Sequence, residues 1–195
     1  MSNTVFNYTI MYKIKMSKKD WVAQAATAGG FYVRVLPVEF TAESGEVMVD
    51  SVEFKLDHKP TKKETVELEA KWLTACKRWK TLEINGHAQS PSVKSFTLGG
   101  VSGWLNSEQR VSIRRSVADK VAAGRESVTV YLAGKGFTMS PAKAEEILAA
   151  VEVYASDCYD VTENHKAAVE ALTDAASVDA YDYASGYPKQ LTFEL

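Results

Sequence analysis

The chain has 195 residues, of which 46% are apolar and 25% charged, and its formal net charge is −2. That is an ordinary globular composition with room for one sizeable core or two small ones. The charge excludes a concentrated basic footprint of the kind nucleic-acid binding needs: residues 141–195 hold 3 Lys/Arg against 11 Asp/Glu, and the basic residues elsewhere fall in small groups such as Lys62/Lys63 and Lys77/Arg78/Lys80.

Residues 5–15 mix aromatic and β-branched residues and predict a strand. Ser17 then reads as the cap of a short helix from about Lys18, carrying Trp21, Val22 and Ala25 and stopped by Gly29-Gly30. Residues 31–40 alternate as a strand in which Pro37 marks an edge or bend, and residues 46–56 alternate again after the Ser44-Gly45 turn, with a slip near Asp50. The first sixty residues are therefore expected to form a small β-α-β-β unit.

Thr61 followed by Glu64 is a capping box, and it opens a linking helix over 61–84. Leu68, Trp72, Ala75, Trp79 and Leu82 step by four, three, four and three along it, a narrow apolar seam. The seam reads first as a helix lying on its own sheet. Its alternative is pairing with a second copy, which makes Trp72 and Trp79 candidate interaction residues. Residues 85–94, rich in Asn, Gly, Ser and Pro, read as a linker.

From 95 to the end the pattern is hairpin, helix, hairpin, helix. Gly99-Gly100 separates two short strands. Asn106, with Gln109 three residues on, starts a helix that ends at Gly124. Val128, Val130 and Leu132 lead into a glycine-rich turn at 133–136, and Phe137 and Met139 return. Ser140-Pro141 opens the longest helix, with an apolar stripe running from Ala144 to Leu172. Two such hairpins are expected to merge into one four-stranded antiparallel sheet with both helices on one face. The fold class expected for the whole chain is α+β.

The sequence carries little chemistry. Gly99-Gly100-Val101-Ser102-Gly103 and Gly134-Lys135-Gly136 lack the strand-loop-helix context of a phosphate loop. There is no His-x-x-x-His, Cys-x-x-Cys or Gly-x-Ser-x-Gly. Cys76 and Cys158 read as reduced, packed thiols. Cys158 and His165 share one helix face but lie about 10 Å apart along it, beyond the reach of a thiol–imidazole pair. Asp157, Asp160 and Glu163 read as a solvated helix face rather than a cation site. His58 lies beside a loop and His87 within one, neither with an evident partner. No catalytic residue, cofactor or metal is expected, and the chain is not expected to be an enzyme.

The C-terminal tail, Ala180-Tyr181-Asp182-Tyr183-Ala184-Ser185-Gly186-Tyr187-Pro188, remains. Tyr181, Tyr183 and Tyr187 read first as anchors covering an open edge of the core. Their alternative is an aromatic rim that binds a carbohydrate or a cell surface. Leu191, Thr192 and Phe193 beyond them have strand character and suit a sheet edge.

Several of these runs together carry a resemblance. They are Ser95-Phe96-Thr97-Leu98-Gly99-Gly100-Val101 with Trp104-Leu105 and Arg110, then Thr129-Val130-Tyr131-Leu132, then Tyr154-Ala155, Cys158-Tyr159 and His165 to Leu172, and finally the tail. Over about residues 95–188 the chain resembles an uncharacterised domain family of phage and prophage tail proteins, and within it the Bacteroidetes branch, whose members sit with tail or tail-fibre genes. Many members end in Gly-Trp-Pro where this chain has Gly186-Tyr187-Pro188. The family has no established activity. The resemblance implies a structural or assembly role through protein–protein contacts, with other tail or fibre components or a second copy as partners. With no signal peptide or membrane span in view, the expected location is the host bacterial cytoplasm during assembly, or the virion.

Overall fold

The computed structural model describes residues 11–195, and the α+β class holds, with small, mainly antiparallel sheets and four helices among the described residues. The chain forms two compact units whose boundary falls inside a helix, between Cys76 and Lys77, rather than on either side of it. The first half of the strand expected over 5–15 lies outside the described residues.

In the N-terminal unit, β1 (Met11–Ser17), β2 (Gln24–Thr27), β3 (Gly30–Thr41) and β4 (Val47–Leu56) form one antiparallel sheet in the order β1-β4-β3-β2. The helix expected at 18–28 is absent; a turn and β2 take its place. Pairing with β3 overrides local helix preference here. Arg34 N–H donates to Ala23 O (2.8 Å) and its guanidinium to Val22 O (3.0 Å), while Trp21 Nε1 donates to Ser51 Oγ (3.1 Å). The glycines read as a helix stop instead close the β2–β3 hairpin, with Thr27 opposite Gly30. The expected irregularity is present on β3: between Val35 and Val38 the register shifts, so that Leu36 and Pro37 together oppose Ser51. Arg34 and Glu53 face each other across β3 and β4, and their largely buried side chains form an ion pair at 2.8 Å.

The next helix, α1 (Lys62–Ala88), opens on the expected capping box. Glu64 N–H donates to Thr61 Oγ1 (3.2 Å), and Thr61 N–H donates to Glu64 Oε2 (2.6 Å). The apolar seam does not stay buried along its length. Leu68 and Trp72 are buried, but Trp79 and Leu82 are 49% and 60% exposed, and the later buried residues are Ile84 and Ala88. The buried face therefore changes along the helix, which a single four-three spacing does not reveal. Residues 85–88, read as linker, complete the helix, so His87 is helical.

The C-terminal unit contains β5 (Phe96–Leu98), β6 (Val101–Gly103), α2 (Ser107–Ala122), β7 (Val128–Leu132), β8 (Lys135–Met139), α3 (Pro141–Ala171), α4 (Ala175–Asp179) and β9 (Thr192–Phe193). Both hairpins close through two residues of positive φ, Gly99-Gly100 (51° and 78°) and Ala133-Gly134 (47° and 81°). That backbone matches the twist of the flanking strands. The α2 cap is a complete capping box between Asn106 and Gln109, and Ser140 caps α3 with Pro141 in the first turn.

The expected four-stranded sheet does not form. The hairpins stay separate, as a three-stranded sheet β6-β5-β9 and a two-stranded sheet β7-β8. The C-terminus takes the open edge of β5 instead: β9 runs parallel to it, with Thr97 N–H donating to Leu191 O and Gly99 N–H to Phe193 O, both 2.9 Å. The hairpins still share one core. Phe96 and Leu98 join Val130, Leu132 and Phe137, with Ile147, Leu148 and Val151 of α3 and Val117 of α2 closing it.

Candidate functional site

The tail is built into the C-terminal unit by specific contacts. Tyr187 packs on the cluster of Val93, Tyr154 and Cys158 and shares a 3.0 Å hydroxyl hydrogen bond with Thr162. Its ring lies against His87 and His165, with centroids 5.3 and 5.8 Å away. His165 bridges two tail residues: Nε2–H donates to Ser185 O (2.9 Å), and Nδ1 shares a hydrogen bond with the Tyr181 hydroxyl (2.8 Å). Tyr183 meets His87 edge to face and lies under Lys80 Nζ, which also donates to Asp179 O at 3.0 Å. Gln190 Nε2 donates to Pro91 O and Ser92 O. The hydroxyls of Tyr181 and Tyr187 are thus engaged within the fold, and no free aromatic rim is presented by these two rings. His87, read as a lone loop histidine, is part of the same aromatic cluster.

The other sequence-predicted residues lie apart. Trp72, in the N-terminal unit, is buried, and Trp79 is half-exposed. Both cysteines are free thiols. Cys158 is buried, and desolvation raises its pKa, which disfavours the reactive thiolate. Tyr154 beside it has its pKa raised by burial, and its hydroxyl donates to Val93 O at 2.6 Å. Among the described residues no group of three or more His, Cys, Asp or Glu is placed to hold a metal ion. His58 does have partners: Nδ1 meets Asp57 Oδ1 at 2.6 Å and Nε2 meets Glu64 Oε1 at 2.9 Å. Hydrogen bonds to these carboxylates raise its pKa. The Thr61 N–H and His58 hold Glu64 down to about 2.

Two features were not anticipated from sequence. One is a bidentate pair: Arg110 Nε and Nη2 donate to Glu152 Oε2 (2.6 Å) and Oε1 (3.2 Å), and Nη1 donates to Leu105 O (2.8 Å), which fastens α2 to α3. Arg110 holds the Glu152 pKa below the ordinary carboxylate value. The two lie 42 positions apart, and no local pattern joins them.

The other is the outer edge of β7. Among the described residues β7 pairs only with β8. In a two-residue hairpin the pair flanking the turn, here Leu132 and Lys135, exchanges hydrogen bonds, and alternate pairs do so thereafter. The backbone N–H and C=O groups of Thr129 and Tyr131 therefore point away from β8. They face a groove of about 430 Å³ whose other wall is α2, through Gln109, Ser112, Ile113 and Ser116. Tyr131 is 65% exposed beside it. The hairpin signal in the sequence contains this edge implicitly, since a hairpin without neighbours has two open sides.

Among the described residues no helix is long and apolar enough to cross a membrane. Comparison with protein-family models, with curated proteins and with solved structures finds no match.

Proposed function

We propose that the chain is a structural or assembly protein of the phage-tail type, acting through protein–protein contacts, and that its contact is made by strand addition at β7. The resemblance over residues 95–188 supplies the setting, with tail or fibre components as the partners. The observation that carries the reading is the open β7 edge. Two residues, Thr129 and Tyr131, turn unpaired backbone donors and acceptors toward a groove of about 430 Å³. Main-chain pairing there would supply affinity, and the Ser112, Ser116 and Ile113 side of α2 would select the side chains that fit.

The test is co-expression with each protein encoded by the adjacent genes, followed by amide hydrogen exchange on any complex recovered. In the isolated chain the Thr129 and Tyr131 amides should exchange quickly and the Val130 amide slowly. In the complex the first two should become protected. Failure of every neighbour to bind, or a complex that leaves both amides exposed, would overturn the reading.

A further inference from the structure

The groove beside β7 has a charge pattern of its own. Of the side chains that line it only Glu108 and Lys120 are ionic, and both belong to α2. Between them the α2 wall is neutral, through Ser112, Ile113 and Ser116.

The chain path places these two charges at opposite ends of the groove. Gly103, four residues before α2 begins, packs against the end of β7: a Cβ there would lie 2.9 Å from Leu132 Cδ1. At the other end of α2 the chain reverses at once. Gly124 holds φ 69°, Arg125 N–H donates to Lys120 O (2.9 Å), and β7 begins at Val128. The helix therefore runs antiparallel to β7, with Glu108 at the Leu132 end and Lys120 at the Val128 end. Their separation along the helix axis is about 18 Å at 1.5 Å per residue. On a strand rising about 3.3 Å per residue, positions one and seven point to the same face and lie about 20 Å apart. The two spacings match.

Neither charge is spent within the chain. Where an opposite charge would pair on the same helix, three or four residues away, Glu108 has Val111 and Ser112, and Lys120 has Val117 and Ser116. Neither side chain engages another described residue. On α3 such pairs do form, as Lys143–Glu146 (2.9 Å) and Lys166–Glu163 (2.7 Å). Glu108 in the first turn and Lys120 in the last turn also suit the α2 dipole, an interaction that leaves both groups open to a partner.

We propose that the segment added at β7 carries opposite charges about six residues apart on the face turned to α2, a basic residue passing Glu108 and an acidic one passing Lys120, with uncharged residues between them beside Ile113. Antiparallel addition is the more stable pairing per residue, so the basic residue comes first in the segment and the acidic one last. This rests on the strand-addition reading and supplies the side-chain chemistry that selects the partner.

The test uses the full chain and four end-blocked, dye-labelled heptapeptides that share the centre Thr-Val-Thr-Val-Thr. One starts with Lys and ends with Glu, one has these two exchanged, one has Lys at both ends and one has Glu at both ends. Fluorescence polarisation at low salt should show the first binding about fivefold tighter than each of the others, with the preference shrinking at high salt. The double variant Glu108→Lys, Lys120→Glu should transfer that preference to the exchanged peptide. A second double variant, Glu108→Gln, Lys120→Gln, opposes the helix dipole less, keeps the fold and should bind all four alike. Equal binding of the four peptides to the parent, or a parent preference for the exchanged one, would overturn the charge assignment. Strand addition would stand in that case if the Thr129 and Tyr131 amides became protected. Binding of none of the four would also overturn the charge assignment, and strand addition would then be decided by whether a complex with a neighbouring gene product protects those amides.

Discussion

Tyr187 offers the sharpest separation between a tail that anchors and a tail that recognises. Tyr187→Phe removes only the hydroxyl bond to Thr162, and a hydrogen bond of this kind is worth about 1 kcal/mol net. Tyr187→Ala also removes a ring that packs on Val93, Tyr154 and Cys158 and touches His87 and His165. Truncating a fully buried aromatic costs roughly 3–5 kcal/mol. Tyr187 is half-buried, so about 2 kcal/mol is appropriate for the ring, and about 3 kcal/mol in all. For a unit of this size each kcal/mol lowers the melting temperature by roughly 4 °C. The Phe variant should therefore melt ~4 °C below the parent and the Ala variant ~12 °C below. Calorimetry provides the temperatures, and NMR resonances of the C-terminal unit assign the transition. An Ala variant within ~2 °C of the parent would refute the anchoring argument. If that variant also lost a binding activity, recognition would take its place.

Gly30→Ala should disrupt the N-terminal sheet, because φ at Gly30 is 136° and an added Cβ would sit 1.9 Å from Leu56 O; a soluble variant with parental melting would contradict this. Ala133→Asn should stabilise the β7–β8 hairpin by about 1 kcal/mol, since Ala133 holds φ 47° in a turn that favours Asn-Gly, and chemical denaturation measures the gain. At the start of α1 the raised His58 pKa contributes stability below its ordinary 6.5 that is lost as pH rises through the folded value. The lowered Glu64 pKa contributes stability above 4.5 that is lost as pH falls toward about 2. This helix start should therefore be held best between about pH 4.5 and 6.5. An NMR titration should place the His58 pKa above 6.5, and Glu64→Gln should lower it; a parent value at or below 6.5 would contradict the arrangement.

The elements read correctly in advance are those specified by short-range chemistry. Thr61 with Glu64, Asn106 with Gln109, and Ser140 with Pro141 each satisfy their own first-turn amides, so the signal and its cause lie within four residues. The same is true of Gly99-Gly100. The misread elements are decided at a distance. Gln24 to Thr27 contains two alanines and a nearby glycine pair, and only the facing β3 makes it a strand. The partition of the C-terminal strands depends on residues 192–193 reaching back to 97–98, a pairing that a reading of the two hairpins alone misses. His87 joins tyrosines about a hundred positions away, which local pattern cannot show.

That long return also bears on where a partner would act. Open strand edges are aggregation liabilities, and proteins blunt them with lysine, proline, bulges or a covering segment. In the C-terminal unit β5 is covered on both sides, by β6 and by β9. The β8 strand begins with Lys135. The β7 strand, Val-Thr-Val-Tyr-Leu, has no charge, no proline and no bulge along its pairing with β8. Its inward side chains are committed to the core through Val128, Val130 and Leu132, so the edge cannot be relieved by turning the strand over. Within the chain, α2 stands across the groove from this edge, through Ser112, Ile113, Ser116 and Lys120. The tail could have served, but it is held at β5 by Leu191 and Phe193. Under the proposed strand addition, Thr129 and Tyr131 offer the main-chain groups that an extended segment of the partner would pair with. Lysine at both positions should accordingly abolish complex formation while leaving the core residues, and the melting temperature, close to those of the parent. A double variant that still assembles would move the contact away from β7.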